Sequence, residues 1–422
     1  MAGFGKTQQS RKTKRQRSPS KTKEAISQSL IAYQQGDLIS AKTLLDQAIE
    51  AHETNSFALG LLATIEKALG NNERASRLFE KSIAIEPNNP DILHNYSALL
   101  QEKDPIKAIK ISDRALEISP GNTKYLERNG YLKWKAGDLD NALKSTLKAI
   151  GLNPGLIDAH TNLGSIYKDL GNLDQALAST LKSLELKPDN PTAYMNLGSI
   201  YKDLGNLNQA LALTLKSLEL KPDNPTAYMN LANINNELGN LDQALAATLK
   251  SLELNPDHPD AHMNLGGIYK NLGSLDQALA STLKSLKLKP DNPDAHKNLG
   301  AIYKDLGNVD QALASTLKSV ELKPDNPDAH MSLGAIYKDL GNFDQALAST
   351  LKSLELKPDN PEGLLNLLSV YGEGDLQKIK DIAYKVVNQN KNNLNNLNYI
   401  EAISSLGERF TKETVSINRS TE

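Results

Sequence analysis

The amino-acid sequence predicts an all-α solenoid built from stacked helical hairpins. Three observations predict it. Pro154, Pro188, Pro222, Pro256, Pro290, Pro324 and Pro358 stand 34 residues apart. Between them, apolar residues return at helical rather than strand spacing. Each interval holds two such stretches, joined by a link short enough to force an antiparallel pair. One hairpin of this size has too little core to fold, whereas a stack shares a continuous one.

The chain begins with a segment of a different kind. Residues 1–21, with the next two, carry Lys6, Arg11, Lys12, Lys14, Arg15, Arg17, Lys21 and Lys23 and no acidic side chain. Of the 48 basic and 50 acidic residues, 40 basic and all 50 acidic ones are left for the remainder, a net charge of -10 against -2 for the whole. Gly3, Gly5, Pro19 and many Ser, Thr and Gln leave little apolar surface to offset the entropy of ordering. We expect a disordered basic arm over 1–21. It could touch nucleic acid or anionic lipid, but a solubilising tail that also contacts the acidic body is the expected reading. Gly5-Lys6-Thr7 lacks the earlier glycine and the strand of a phosphate-binding loop.

The unit Pro191–Asn224 shows why each hairpin should form. Pro191 suits a first helical turn, where its missing N–H costs nothing. Tyr194, Leu197, Gly198 and Tyr201 share one helical face, and Gly205 fits the left-handed position after that helix. Leu207, Ala210, Leu211, Thr214, Leu215 and Leu218 mark the second helix, and Pro222 lies beyond its end. Gly198 and Ala210 should be the closest contact between the two helices. Each helix of about 14 residues is roughly 20 Å long.

Pro120 and Pro87 extend the series backward, the latter one residue short. The register gives eleven units over 22–392, beginning with 22–55, 56–89 and 90–122 and ending with 327–360 and 361–392. The third loses its inter-helix glycine near Asp104-Pro105. A helix over 393–410 should cap the last apolar face, and 411–422 reads as a polar tail.

These units resemble the tetratricopeptide repeat family over nearly all of 22–392. Leu197, Gly198, Tyr201, Gly205, Ala210 and Pro222 meet the family's packing pattern, and Leu163, Gly164, Tyr167, Gly171, Ala176 and Pro188 meet it again. The resemblance implies a right-handed superhelix with the first helices on its concave wall. The family's large second-helix aromatic is replaced by Thr180, Thr214, Thr248, Thr282, Thr316 and Thr350. Its later alanine is replaced by Ser183, Ser217, Ser251, Ser285, Ser319 and Ser353, so this seam should hold less hydrocarbon. The long array with a basic start is also similar to bacterial, cyanobacterial-type repeat proteins.

On the expected inner face one column stands out. Asn162, Asn196, Asn230, Asn264 and Asn298 take the same place in five consecutive units, with Arg128 and Ser332 interrupting on either side. With the Asn-Leu-Gly motifs at 162–164, 196–198, 264–266 and 298–300, this resembles the asparagine ladder in the superhelical domain of the protein O-linked N-acetylglucosamine transferase family. The resemblance implies a clamp for an extended peptide backbone. The chemistry suits it, because an Asn amide offers a donor and an acceptor to one peptide group. Asn copied by unit duplication is the plainer alternative. Met195, Met229 and Met263 lie beside the column and could line an apolar wall.

Other constellations give less. His160, His262, His296 and His330 recur one repeat apart, too far to share a metal, and replace an aromatic packing position. Lys168/Asp169, Lys202/Asp203, Lys304/Asp305 and Lys338/Asp339 put both signs on the rim, unlike a nucleic-acid groove, which needs a net basic track. Asp260, Asp294 and Asp328 would repel a terminal carboxylate.

Cysteine is absent, which excludes disulfides, thiolate metal sites and cysteine nucleophiles. No run of 18 apolar residues exists, and the basic start lacks the apolar stretch of a secretory signal, so a cytoplasmic location is expected. No nucleophile–base–orienter set is identifiable, and no cofactor or metal is expected. The expected function is a protein–protein interaction scaffold binding extended peptide or protein segments. A non-catalytic, substrate-presenting component of a protein-glycosylation or other modifying enzyme on a separate chain is one alternative, and a structural spacer is another. Only 30 residues follow position 392, so glycosyl transfer by this chain alone is not expected.

Overall fold

The structure, a computed structural model, describes residues 19–51 and 55–357. They form twenty α-helices, and no strand occurs among the described residues. The basic arm up to residue 18, the eleventh unit, the capping helix 393–410 and the tail 411–422 lie outside them. The first helix begins at Pro19.

The chain divides into two compact units, Met1–Gly205 and Asn206–Glu422. The first contains α1 (Pro19–Gln34), α2 (Leu38–Ala51), α3 (Ser56–Ala68), α4 (Asn72–Ile85), α5 (Pro90–Leu100), α6 (Pro105–Ile118), α7 (Thr123–Lys135), α8 (Leu139–Leu152), α9 (Ile157–Asp169), α10 (Leu173–Leu186) and α11 (Pro191–Asp203). The second contains α12 (Leu207–Leu220), α13 (Pro225–Glu237), α14 (Leu241–Leu254), α15 (Pro259–Asn271), α16 (Leu275–Leu288), α17 (Pro293–Asp305), α18 (Val309–Leu322), α19 (Pro327–Asp339) and α20 (Phe343–Leu356).

Local chemistry sets the helix ends. Asn190 Oδ1 accepts from the Thr192 and Ala193 amides ahead of Pro191, which satisfies two orphan donors of α11. At the end of α9 the chain turns through Gly171 at φ +78°. The Asn172 amide donates to the Tyr167 carbonyl at 2.8 Å and the Gly171 amide to that of Lys168 at 2.9 Å. This double bond pattern needs a left-handed residue, which only glycine adopts without cost. The short third unit solves the same problem without glycine. Its turn closes by the Asp104 amide on the Leu100 carbonyl at 2.8 Å, and Asp104 then caps α6 through Lys107.

The two helices of a hairpin meet where expected. A Cβ on Gly164 would collide with Thr180 Oγ1 and lie 3.2 Å from the Ala176 carbonyl oxygen; Gly300 stands likewise against Thr316 and Ala312. Thr180, Thr248, Thr316, Ser183, Ser251 and Ser319 of the second helices are fully buried. Thr180 satisfies its hydroxyl on the Ala176 carbonyl at 2.8 Å, and Ser183 Oγ lies 2.7 Å from Thr161 Oγ1. Phe79 keeps an aromatic at this register in the second hairpin, stacked on Tyr96 with centroids 5.4 Å apart. Periodicity assigns Leu215 to the apolar face of α12, yet it is 49% exposed, as Leu181, Leu249 and Leu283 are in their own helices. The neighbouring Thr214 is the buried residue.

Within each unit, successive first helices touch, as α7 does α9 and α15 does α17, whereas second helices make no comparable approach to one another. The row of first helices is therefore the tighter, inner side of each stack.

Candidate functional site

The Asn column lies on this inner row. Asn162 on α9 and Asn196 on α11 belong to the first unit, and Asn230 on α13, Asn264 on α15 and Asn298 on α17 to the second. All five are half-buried. Their amides are not equivalent. Asn196 Nδ2 donates to Ser165 Oγ at 2.7 Å and to the Thr161 carbonyl at 3.3 Å, both on α9. Asn264 Nδ2 donates to Asn233 Oδ1 at 2.5 Å on α13. The residue that answers to Ser165 and Asn233 one unit later is Gly267, which offers Asn298 no acceptor; a Cβ there would lie 3.9 Å from Asn298 Nδ2. Asn162 lines an open pocket. The column thus presents full amides at Asn162 and Asn298. At Asn196 the carbonyl oxygen is the part left for a ligand.

The methionines differ as well. Met229 is only 7% exposed and belongs to the buried interior, while Met195 and Met263 are half-buried. Met263 Sδ accepts from Asn292 Nδ2 at 3.9 Å, under the N-cap of α17.

The histidines act within the turns. The ring Nε2 of His160, His262, His296 and His330 lies 2.8–2.9 Å from the carbonyl of the proline six residues earlier. On the rim, charges join one first helix to the next: Lys168 to Asp203 at 3.6 Å, Lys270 to Asp305 at 3.2 Å and Lys304 to Asp339 at 3.2 Å. Trp134 Nε1 takes the lysine's part, donating to Asp169 at 2.7 Å.

A pocket of about 390 Å³ opens on the inner row of the first unit, with His94, Lys124, Glu127, Arg128, Tyr131 and Asp158 in its wall. Arg128 holds the column's place but replaces its Asn. Its guanidinium donates to Gln101 Oε1 at 3.0 Å and lies 6.0 Å from the Tyr131 ring centre. Burial, then the nearby Arg128, pushes the His94 pKa down to about 4, so the imidazole is neutral at pH 7. Burial and Arg128 also lower the Lys67 ammonium. Burial and the Asp158 carboxylate raise Glu127. Sequence reasoning passed over this group because Arg128 read as a break in the column. Aligning the units shows a charged residue where the next five units carry an amide.

Comparison with known proteins agrees with this architecture. Models of the tetratricopeptide repeat match residues 32–96, 164–205, 198–239, 225–258, 247–280, 266–307, 300–341 and 327–360. The Cut9–Hcn1 hetero-tetramer of the APC/C is similar in fold, with a TM-score of 0.56 at 14% identity over 84% of this chain and 90% of that one. A tetratricopeptide repeat protein from Parabacteroides merdae has a TM-score of 0.50 at 21% identity, covering 56% and 94%. Two proteins named protein adenylyltransferase Fic, from Drosophila mojavensis and Aedes aegypti, are 34% and 32% identical over 82 residues. Those stretches are 18% of this chain and 16% of theirs, so the chain spans about a sixth of the length of these curated relatives. No helix among the described residues is long and apolar enough to cross a membrane. With matches to the repeat throughout two long stretches, and hairpins of the same build between them, the chain belongs to the tetratricopeptide repeat family, an all-α protein–protein interaction scaffold.

Proposed function

We propose that within each unit the inner row of first helices holds extended peptide segments of partner proteins, with Asn162 and Asn196 in the first unit and Asn230, Asn264 and Asn298 in the second bonding the peptide main chain. The observation that carries this reading is the amide of Asn298, half-buried on the inner face beside Gly267 and without an acceptor there. An amide so placed matches a peptide group in both donor and acceptor. First helices stand about 10 Å apart, a helix diameter, which an extended chain covers in ~3 residues. Main-chain contacts at that interval tolerate many side-chain sequences.

The bonds from Asn196 to Ser165 and from Asn264 to Asn233 favour a second reading, in which the column ties repeats together in a structural spacer. Selection of the full chain against a display library of random dodecapeptides separates the two. Peptide binding predicts enrichment by the native protein that is lost when Asn162, Asn230 and Asn298 are replaced together by Ala. A spacer gives no enrichment with either protein.

A further inference from the structure

The charges around the first unit's pocket lack the partners that charges elsewhere on the inner row possess. Lys133 pairs with Asp113 at 2.8 Å and Lys168 with Asp203 at 3.6 Å. Arg128, by contrast, is hydrogen-bonded to the neutral Gln101. Among the described residues Lys124 and Arg128 form no ion pair, and neither do Glu127 and Asp158, all four of which line the pocket. Glu127 and Arg128 are adjacent in sequence, and neighbours on a helix point about 100° apart rather than at each other. The result is two separated like-charge groups. Arg128 leans toward the end of α5, where Gln101 accepts from it, while Glu127 on α7 and Asp158 on α9 both line the pocket. Glu127 and Arg128 are half-buried; partly desolvated, unpaired charges are costly, and a ligand that supplies both counter-charges relieves both at once.

We infer that this pocket takes an extended segment bearing one acidic and one basic side chain, the acidic one against Arg128, the basic one against Glu127 and Asp158. The inference rests on the peptide-binding reading above. Arg128 on α7 leans toward α5 and Asp158 stands on α9, so the two counter-charges sit about one helix spacing apart, ~10 Å. An extended chain spans that in about three residues. A doubly acidic segment would place its second carboxylate against Glu127 and Asp158, and a doubly basic one its second ammonium against Arg128. Like-charge repulsion therefore selects against both.

The test uses the full chain and fluorescent dodecapeptides with one Ser/Thr/Ala background. Two charged positions, separated by one or two residues, carry Asp and Lys in either order, two Asp, two Lys, or Asn and Gln. Anisotropy titrations should show an Asp/Lys peptide binding about tenfold tighter than the neutral one, a factor equivalent to about 1.4 kcal/mol. Both same-charge peptides should bind no better than the neutral one. Arg128→Gln and Glu127→Gln should each abolish most of the preference. Glu127→Lys with Asp158→Lys should transfer it to the doubly acidic peptide. The peptide series on the native protein decides the matter even where a variant fails to fold. Equal affinity for mixed-charge and neutral peptides overturns the inference. If those peptides still depend on the Asn column, the peptide-binding reading survives; if no peptide binds, both fall.

Discussion

Asn196 Nδ2 lies 2.7 Å from Ser165 Oγ, so a side chain on the inner face of α11 fastens that helix to α9. The Asn column therefore does two things at once, and its members should separate on mutation. Asn196→Ala removes donors to Ser165 and to the Thr161 carbonyl, whereas Asn298→Ala removes no bond within the described residues. A net hydrogen bond is worth ~1 kcal/mol, partly offset by alanine's better helix propensity. Urea unfolding should show a lower midpoint for Asn196→Ala and none for Asn298→Ala. Equal effects would contradict this division of roles.

The contact between Gly300 and Thr316 sets the hairpin spacing of α17 and α18. Gly300→Val should destabilise by ~1–3 kcal/mol, as overpacking of a filled interior does. The additional Thr316→Ala change should recover part of the loss. Ala232 stands at the same register in α13, which shows that a methyl can be accommodated there. A Gly300→Val melting temperature equal to the native one would refute the close contact.

His94 provides a pH signature. Its pKa is about 4 in the folded chain, against 6.5 for a free imidazole. As pH falls from 6.5 toward 4, the unfolded chain takes up a proton at this site that the folded chain does not, so the site favours unfolding across that window. Above 6.5 both states are neutral there. The stability of His94→Gln should therefore fall less steeply than that of the native protein between pH 6.5 and 4. Parallel curves would show that His94 is solvated like a free side chain.

Exposure on the second helices makes another contrast. Leu215→Gln, at a 49% exposed side chain, should stay within ~0.5 kcal/mol of native stability. Leu197→Ala, at 2% exposure, should cost ~2–5 kcal/mol. Chemical denaturation of both variants checks the pair, and a large loss for Leu215→Gln would mean that its face is covered.

The hairpins were legible because proline, glycine and the apolar period agree within most units. Asn190 before Pro191 and Gly171 after α9 mark helix ends by chemistry that acts over a few residues. Leu215 was misread because Thr214 and Leu215 both fit an apolar arc; at the same register in α9 and α10, the closeness of Gly164 to Thr180 turns the threonine inward. The Asn column was legible as a register, but the state of each amide was not. That state depends on the residue 31 positions earlier, Ser165 for Asn196, Asn233 for Asn264 and Gly267 for Asn298. The pocket around Arg128 was hidden for a similar reason, since its wall draws on four first helices, α5, α7, α9 and α11.

The central claim is that the Asn column bonds a peptide main chain, and a co-crystal of the full chain with a library-selected dodecapeptide tests it most directly. The account predicts an extended peptide on the inner row, with Asn162 or Asn298 placing Nδ2 and Oδ1 within 2.7–3.2 Å of a peptide carbonyl and amide. Asn196 should keep its bond to Ser165 and offer only Oδ1. A peptide seated on the exposed leucines of the second helices, or on the inner row without main-chain contact to any of these asparagines, would contradict it.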